Sequence, residues 1–274
     1  MKKVWNKAHY EKLDWYDLIS EMGLETFNWA GANTWDQLLK MTQLPSNAKI
    51  LMVGCGVGQS AFFLAEKYGF HVVGIDLAEK SIHIAKEKAK MLRLDTQVTF
   101  DIGDAHHLPY PNDSFDAIFT EFMAYFLNHS VAIPEFFRVI KPRGYVGFNE
   151  LMLNPNTPQK PLAKIQYAGE VHLEFSGFRL TIPTSIEYTK WVKKAGFQDP
   201  LFQISRYKTS LKHFFKTVGG RKKFWELMKL TWFLYKNSSI IKEKFEKQAI
   251  VKKIIKRQRK TAKFITPTLC VARK

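Results

Sequence analysis

Short runs of apolar, largely β-branched residues alternate with amphipathic stretches between residue 49 and about residue 150. Apolar strands that alternate with helical segments are typical of a parallel sheet covered by helices on both faces. The alternation therefore predicts a doubly wound α/β fold. The predicted strands are 49–53, 71–75, 97–101, 115–119 and 145–149, and the predicted helices between them are 58–68, 78–92 and 131–140.

The flanking segments follow other patterns. Residues 8–44 predict helices and are rich in aromatic side chains, whereas 151–158 contains two prolines and predicts an excursion rather than a strand. A further helix is predicted over 185–195, where Gly196 stands at a common stop position. Residues 201–207 and 267–273 predict two more strands. Together these elements predict a Rossmann-like sheet of seven strands.

The pattern divides the chain into three predicted regions. Residues 1–44 form a helical N-terminal cap. Residues 45–207 and 266–274 form the sheet domain, and 208–265 form a basic, amphipathic helical insertion before the last strand.

The charge is concentrated in the last quarter of the chain. Residues 1–205 hold 21 Lys and Arg against 22 Asp and Glu, a net charge of −1, whereas residues 206–274 hold 21 against 3, a net charge of +18. Such an asymmetry indicates a separate function that faces an anionic partner.

Composition excludes several classes of protein. No run approaches the roughly 18 apolar residues that a membrane span needs, and Met1–Lys7 lacks the apolar core of a secretion signal. Two cysteines, Cys55 and Cys270, are too few for a disulfide framework and favour a cytoplasmic location. The few thiols and the absence of paired histidine spacing argue against a structural metal site.

The chemistry-bearing motif is a glycine loop directly after the first predicted strand. Gly54, Gly56 and Gly58 follow that strand, and Asp76 ends the next one, 22 positions after Gly54. Bare backbone beside a carboxylate that can bind ribose hydroxyls predicts a nucleoside-cofactor site. A dinucleotide site needs a glycine at the sixth position, which is Gln59 here. The early third glycine instead resembles the glycine pattern of sheets that bind S-adenosylmethionine.

Three further segments align with the loop: Asp101–Ala105 after the third strand, Ser114–Ile118 in the fourth, and Glu135–Tyr145 before the fifth. With the glycine loop and Asp76, they resemble the class I S-adenosylmethionine-dependent methyltransferases, especially the branch that methylates quinones, sterols, tocopherols and small molecules. The resemblance is strong over about 45–150 and looser over 181–207 and 266–274. It departs at Met52, where an acidic residue is common, and at Arg143, which replaces the first glycine of a Pro-Gly-Gly turn.

The resemblance implies S-adenosylmethionine as the cofactor, with S-adenosylhomocysteine as its product. The glycines would contact the methionine end, Asp76 the ribose, and Leu77 and Asp104 the adenine. The implied cofactor residues are Gly54, Cys55, Gly56, Gly58, Asp76, Leu77, Asp104, Ala105 and Glu121.

Catalysis of methyl transfer depends mostly on alignment and on exclusion of water, and a base matters where the acceptor loses a proton. Polar side chains at the carboxyl edge of such a sheet are suited to this work. The predicted catalytic residues are Glu121, Glu150, Tyr125 and His129, and the predicted substrate-pocket residues are Trp15, Tyr16, Trp29, Asn149 and His172.

The insertion leaves two acceptor classes open. Aromatic residues over 224–235 and an apolar series over 241–255 alternate with lysines, which suits either a helix at an anionic membrane surface or a lid packed on the core. These features favour a hydrophobic small molecule or lipid as the acceptor, with a peripheral membrane location. The alternative is a tRNA or rRNA methyltransferase, whose lysines would bind phosphates. A third functional class, a cofactor-binding protein without catalytic activity, is disfavoured because the cofactor motifs are intact.

Overall fold

The computed structural model describes residues 5–22, 32–205 and 220–274. The chain divides into two compact units. We call Phe27–Asn156, Ile182–Lys208 and Phe264–Lys274 the sheet unit, and Met1–Thr26, Thr157–Thr181 and Thr209–Lys263 the helical unit. The three predicted regions group the chain differently, and their boundaries stay a prediction.

The sheet unit contains a seven-stranded sheet in the order β3-β2-β1-β4-β5-β7-β6. The strands are β1 Lys49–Val53, β2 His71–Asp76, β3 Val98–Ile102, β4 Phe115–Glu121, β5 Ile140–Leu153, β6 Leu201–Ile204 and β7 Ile265–Arg273. All neighbours pair in parallel except β7, which is antiparallel to both β5 and β6. This arrangement confirms the predicted fold class.

Helices cover both faces of the sheet. In β1, Ile50 and Met52 pack into one apolar cluster, while Leu51 and Val53 pack into the other. Alternate residues point to opposite faces of a strand, so a strand that is buried on both faces must be apolar throughout. The helices of this unit are α3 Ala32–Leu39, α4 Gln59–Tyr68, α5 Glu79–Leu92, α6 His129–Val139 and α8 Ser185–Ala195.

The predicted excursion after residue 150 is wrong at its start. Leu151, Met152 and Leu153 continue β5, where they pair with Pro267, Thr266 and Ile265 of β7. The strand is long because β7 pairs with residues 145–153 of it. A partner so distant in sequence leaves no local hydrophobic pattern from which the extension could be predicted. The predicted strand over 201–207 is described to Ser205 and ends as a strand at Ile204.

The helical unit contains α1 Lys7–Glu11, α2 Trp15–Glu21, α7 Gln159–Ser176, α9 Gly220–Asn237, α10 Ser239–Lys252 and α11 Arg259–Ala262. The long helix α7 was not predicted, although Ile165, Ala168, His172 and Phe175 are buried at helical spacing. In the predicted apolar series of the insertion, Ile241, Gln248, Val251 and Ile255 are buried, as expected of a packed helix. Among the described residues, no helix is long and apolar enough to cross a membrane.

Candidate functional site

The glycine loop connects β1 to α4 through left-handed backbone. The φ angles of Gly54, Gly56 and Gly58 are 67°, 51° and 83°, values that favour glycine. A Cβ on Gly54 would lie 2.5 Å from Cγ of Met123, and one on Gly58 would lie 2.4 Å from Cζ of Phe100. Among the residues that the structure describes, a Cβ on Gly56 would meet no atom within 4 Å. Two glycines are therefore required by packing, whereas the backbone of Gly56 faces open space where a ligand can lie.

Asp76 ties this loop to the neighbouring strand. Its carboxylate accepts hydrogen bonds from the backbone N–H groups of Gly56 (2.8 Å) and Ala78 (2.9 Å). The carbonyl of Ile75 accepts from the N–H groups of Gly54 and Cys55. Burial raises the pKa of Asp76, and the amides that donate to it offset part of that rise. The carboxylate thus lies beside the open backbone of Gly56, as a ribose site requires.

Cys55 contributes backbone rather than thiol chemistry to the loop. Burial, together with the nearby carboxylate of Asp76, raises the pKa of the thiol well above its usual range. A thiol of raised pKa stays protonated and is a poor nucleophile.

Two apolar side chains stand exposed at the ends of adjacent strands. Leu77 is 53% exposed and Ile102 is 52% exposed, and Ile102 pairs with Asp76 across β2 and β3. Exposed aliphatic side chains beside the carboxylate of Asp76, the predicted ribose site, are suited to the faces of a purine. The sequence predicted Leu77 but not Ile102, whose signal was its position at the end of the third strand.

Asp104 is oriented by His106, two residues further along the chain. Its Oδ1 accepts from the backbone N–H of His106 (2.9 Å) and lies 2.6 Å from Nδ1 of the ring. Nε2 of the same ring accepts from the N–H of Asn128 (2.9 Å), which places the ring proton on Nδ1. Burial opposes ionisation of Asp104, but the bonds from His106 outweigh it and lower the pKa. Ala105, next in the chain, is buried.

The loop after Asp104 is held by an ion pair on α6. Arg138 donates to the carbonyls of Leu108 (2.9 Å) and Tyr110 (2.7 Å), and Glu135 accepts from the N–H of Leu108 (2.9 Å). The two side chains also bond each other. Glu135 and Arg138 therefore hold the loop after Asp104 in place, and their helix leads into β5.

Glu121 and Asn149 lie side by side at the ends of β4 and β5. Nδ2 of Asn149 donates to Oε1 of Glu121 (2.9 Å) and to the hydroxyl of Thr34 (3.1 Å). The hydroxyl of Ser60, at the start of α4, donates to Oε2 of Glu121. Burial raises the pKa of Glu121 to about 7, although both donors lower it. Within the described part of the chain, Oδ1 of Asn149 is buried without a hydrogen-bond partner, which leaves an acceptor near α4, the helix that follows the glycine loop. Ser60 was missed, because a hydroxyl just inside a helix has many structural roles.

Glu150 points to the other side of β5 and is fully buried. Its Oε1 accepts from the hydroxyl of Thr120 (2.8 Å) and from the backbone N–H groups of Met123 (3.2 Å) and Ala124 (3.1 Å). Burial raises its pKa to about 8. These contacts anchor the turn after β4, in which Phe122 has a φ of 52°. Its predicted catalytic role stays a prediction.

Tyr125 and His129 are also buried. The ring of His129 stacks on Trp191 at 4.2 Å between centroids, and burial lowers its pKa to about 4. The imidazole is therefore neutral near pH 7 and packs between α6 and α8. Tyr125 lies in a short 3-10 turn, where its ring meets Phe126 edge to face. Catalytic roles for both stay predictions.

The predicted pocket residues lie in different units. Asn149 belongs to the sheet unit, whereas Trp15, Tyr16 and His172 belong to the helical unit. There, Trp15 meets Phe175 edge to face at 5.0 Å, and Tyr16 lies 6.4 Å from His172 between ring centroids. Nδ1 of His172 lies 2.7 Å from the carbonyl of Phe178, and burial lowers its pKa. Trp29 lies outside the described residues.

Comparison with known proteins agrees with this geometry. A family model described as a methyltransferase domain matches residues 50–144. Phosphoethanolamine N-methyltransferase 1 of Arabidopsis thaliana is 32% identical over 191 residues, which is 69% of this chain and 35% of that enzyme. The chain belongs to the class I S-adenosylmethionine-dependent methyltransferases. It spans about a third of the length of this relative.

Solved structures share the methyltransferase fold. The [4+2]-cyclase SpnF superposes with a TM-score of 0.69 at 22% identity, over 94% of this chain and 93% of that one. Phosphoethanolamine N-methyltransferase 2 of Haemonchus contortus, solved with S-adenosyl-L-methionine, gives a TM-score of 0.65 at 18% identity, over 99% of this chain and 60% of that one. The predicted family, its fold and its S-adenosylmethionine cofactor are thereby confirmed.

Proposed function

We propose that this methyltransferase-family chain transfers a methyl group from S-adenosylmethionine to an oxygen, nitrogen or carbon of a hydrophobic small molecule or lipid-type acceptor. The observation that carries the proposal is the left-handed glycine loop, whose open Gly56 lies beside the carboxylate of Asp76. The relative named for phosphoethanolamine supports a small-molecule acceptor.

The residues at the carboxyl edge of the sheet divide the binding work. The loop backbone and Asp76 would hold the methionine and ribose parts, and Leu77, Ile102 and Asp104 the adenine. When bound, S-adenosylmethionine supplies a methyl group that its sulfonium already activates. The protein then needs to align the acceptor and to exclude water.

Glu121 is the side chain suited to move a proton. It lies at the end of β4 beside Ser60 and Asn149, and its pKa of about 7 lets it change protonation state near neutral pH. A group with a pKa near the working pH combines the correct protonation state with a useful driving force for transfer. We assign it the removal of a proton from acceptors that must lose one.

Calorimetric titration with S-adenosylmethionine and S-adenosylhomocysteine tests the cofactor site. The wild type is expected to bind both, and Asp76→Ala to lose binding, because the ribose would lose its acceptor. Asp76→Asn keeps an oxygen for the amide of Gly56 and separates loss of charge from loss of the loop. The matched control is Asp95→Ala, which removes an exposed carboxylate outside the site.

Transfer itself is measured with a radiolabelled methyl donor. Phosphoethanolamine and an organic extract of cellular lipids are offered as acceptors, and the label is expected to enter one of these pools. Absence of cofactor binding by the wild type, or unchanged affinity in Asp76→Ala, would overturn the site. Binding without label in either pool would instead support the cofactor-binding protein without transfer activity.

A further inference from the structure

The outer face of α9 carries an aromatic stripe that is largely exposed, although the hydroxyl of Tyr235 donates to Glu246 of α10 (2.9 Å). Trp225 and Trp232 are each 63% exposed, and Met228 and Tyr235 are 44% and 39% exposed. The spacing of three, four and three residues puts all four on one side of the helix. On the opposite side, Leu227, Leu230 and Leu234 are buried. The inner leucines already anchor the helix, so the stripe is available to a partner.

A row of lysines runs beside this stripe. Lys222, Lys229 and Lys236 are spaced by seven residues and are all exposed, so they share the outer face. Nζ of Lys236 lies 4.7 Å from the centre of the Trp232 ring. The described part of the insertion, 220–263, holds 15 Lys and Arg against 3 Glu, a net charge of +12.

We propose that the outer face of α9 docks on the surface of an anionic lipid bilayer. Tryptophan prefers the boundary between headgroups and acyl chains, and lysines beside it keep their ammonium groups among anionic headgroups. The positive charge complements such a surface, and the helix is amphipathic in the sense that interfacial binding needs. This surface would bring a lipid-type acceptor near the enzyme, and in that respect it rests on the proposed function.

Two observations favour lipid over nucleic acid or protein. Met228 of α9 and Ile240 at the start of α10, which is 48% exposed, lack aromatic rings, and such side chains add to burial in a bilayer but have no stacking role with bases. Protein interfaces are depleted of lysine at their centres, whereas here lysines directly flank the tryptophans.

Vesicle flotation with the full chain tests the proposal without cofactor or acceptor, so its outcome is independent of methyl transfer. The chain is expected to float with vesicles of phosphatidylcholine and phosphatidylglycerol, and to float poorly with phosphatidylcholine alone or at high salt. Trp225→Ser/Trp232→Ser is expected to weaken partitioning by about tenfold or more. Lys222→Gln/Lys229→Gln is expected to weaken it on anionic vesicles alone.

Matched controls change similar side chains elsewhere. Tyr167→Ser removes a ring that is 56% exposed on α7, and Lys86→Gln/Lys190→Gln removes two exposed lysines of the sheet unit. Thermal melting verifies that every variant is folded. Loss of flotation in the α9 variants with retention in the controls supports the proposal.

Three results would overturn it. The first is absence of flotation of the wild type on anionic vesicles, and the second is equal flotation of the tryptophan variant. The third is a chain that does not bind vesicles but binds a mixed RNA in a salt-sensitive way, or forms dimers, where the same α9 variants abolish that binding or dimerisation. RNA binding of this kind would assign the stripe to nucleic acid, and dimer formation would assign it to a second copy of this chain.

Discussion

Glu121 illustrates how single residues acquire chemistry from their surroundings. In the sequence it is an acid that follows a strand, as many are. In the structure, burial raises its pKa to about 7, and two donors, Ser60 and Asn149, limit that rise. Arg143 illustrates a local cost instead, because its backbone has a left-handed conformation that strains a residue with a side chain.

The proton-transfer role of Glu121 predicts a pH dependence of the methylation rate. A base works when ionised, so the rate of the wild type should rise as pH increases through about 7. Glu121→Gln should remove this limb and lower the rate by about 100-fold or more. Ser60→Ala, which removes a donor that lowers the pKa, should move the limb to higher pH. A Gln variant that retains the limb would contradict the assignment.

Arg143 predicts a stabilising substitution. Its φ of 67° is left-handed, in an irregular part of β5 where the resemblance to the family predicts glycine. Such a conformation costs a non-glycine residue about 1–2 kcal/mol, part of which the greater flexibility of unfolded glycine cancels. Arg143→Gly should therefore raise the free energy of unfolding by about 0.5–1 kcal/mol, measured by denaturant titration. Arg143→Ala keeps the strain and should give no gain.

At the scale of elements, the turn after β4 depends on β5. Oε1 of Glu150 accepts from Thr120, Met123 and Ala124, and the side chain of Met123 lies against Gly54. Glu150, which the sequence predicts to be catalytic, thus connects β5 to the glycine loop through the turn after β4. Its position between these elements favours a positioning role.

Truncation of Glu150 should be costly, whereas an isosteric amide should not be. Glu150→Ala leaves two buried donors, the Thr120 hydroxyl and the Ala124 N–H, and the part-buried N–H of Met123 without an acceptor. It should lower the free energy of unfolding by about 3 kcal/mol. Glu150→Gln keeps the accepting oxygen and should be nearly neutral at pH 7. Denaturant titrations at that pH compare the two, and equal losses would contradict the anchoring role.

The wild type and Glu150→Gln together test the raised pKa of Glu150. The folded pKa of about 8 lies above the usual value of 4.5, so the folded state binds more protons between these limits. The free energy of unfolding should fall as pH rises through that window, by about 1.4 kcal/mol per pH unit for this group. Glu150→Gln should show a smaller slope over pH 5–8, and an identical slope would refute the shift.

At the scale of the whole molecule, chemistry and charge are separated. The sheet unit contains the glycine loop, Asp76, Asp104 and Glu121, whereas the helical unit is assembled from three segments far apart in sequence and carries the basic insertion. The same fold occurs in a [4+2]-cyclase and in phosphoethanolamine methyltransferases. The reaction of a given member must therefore be argued from its site.

Sequence alone was sufficient for the core of the sheet unit. The bounds of β1, α4 and α8 agree with prediction to within one residue, because strands buried on both faces and capped helices are encoded by local periodicity. The glycine spacing and Asp76 also identified the cofactor class, since loop and carboxylate adjoin wherever this topology forms.

Tertiary structure decided what depends on partners distant in sequence. The extension of β5 to Leu153 depends on β7, and the burial of Glu150 depends on the turn after β4. The raised pKa of Glu121 comes from burial, which the donors Ser60 and Asn149 partly offset. Packing likewise determined which face of α9 is buried, leaving Trp225 and Trp232 exposed beside lysines. Local sequence specifies periodicity, but burial, pairing and pKa values arise from long-range contacts that the pattern does not contain.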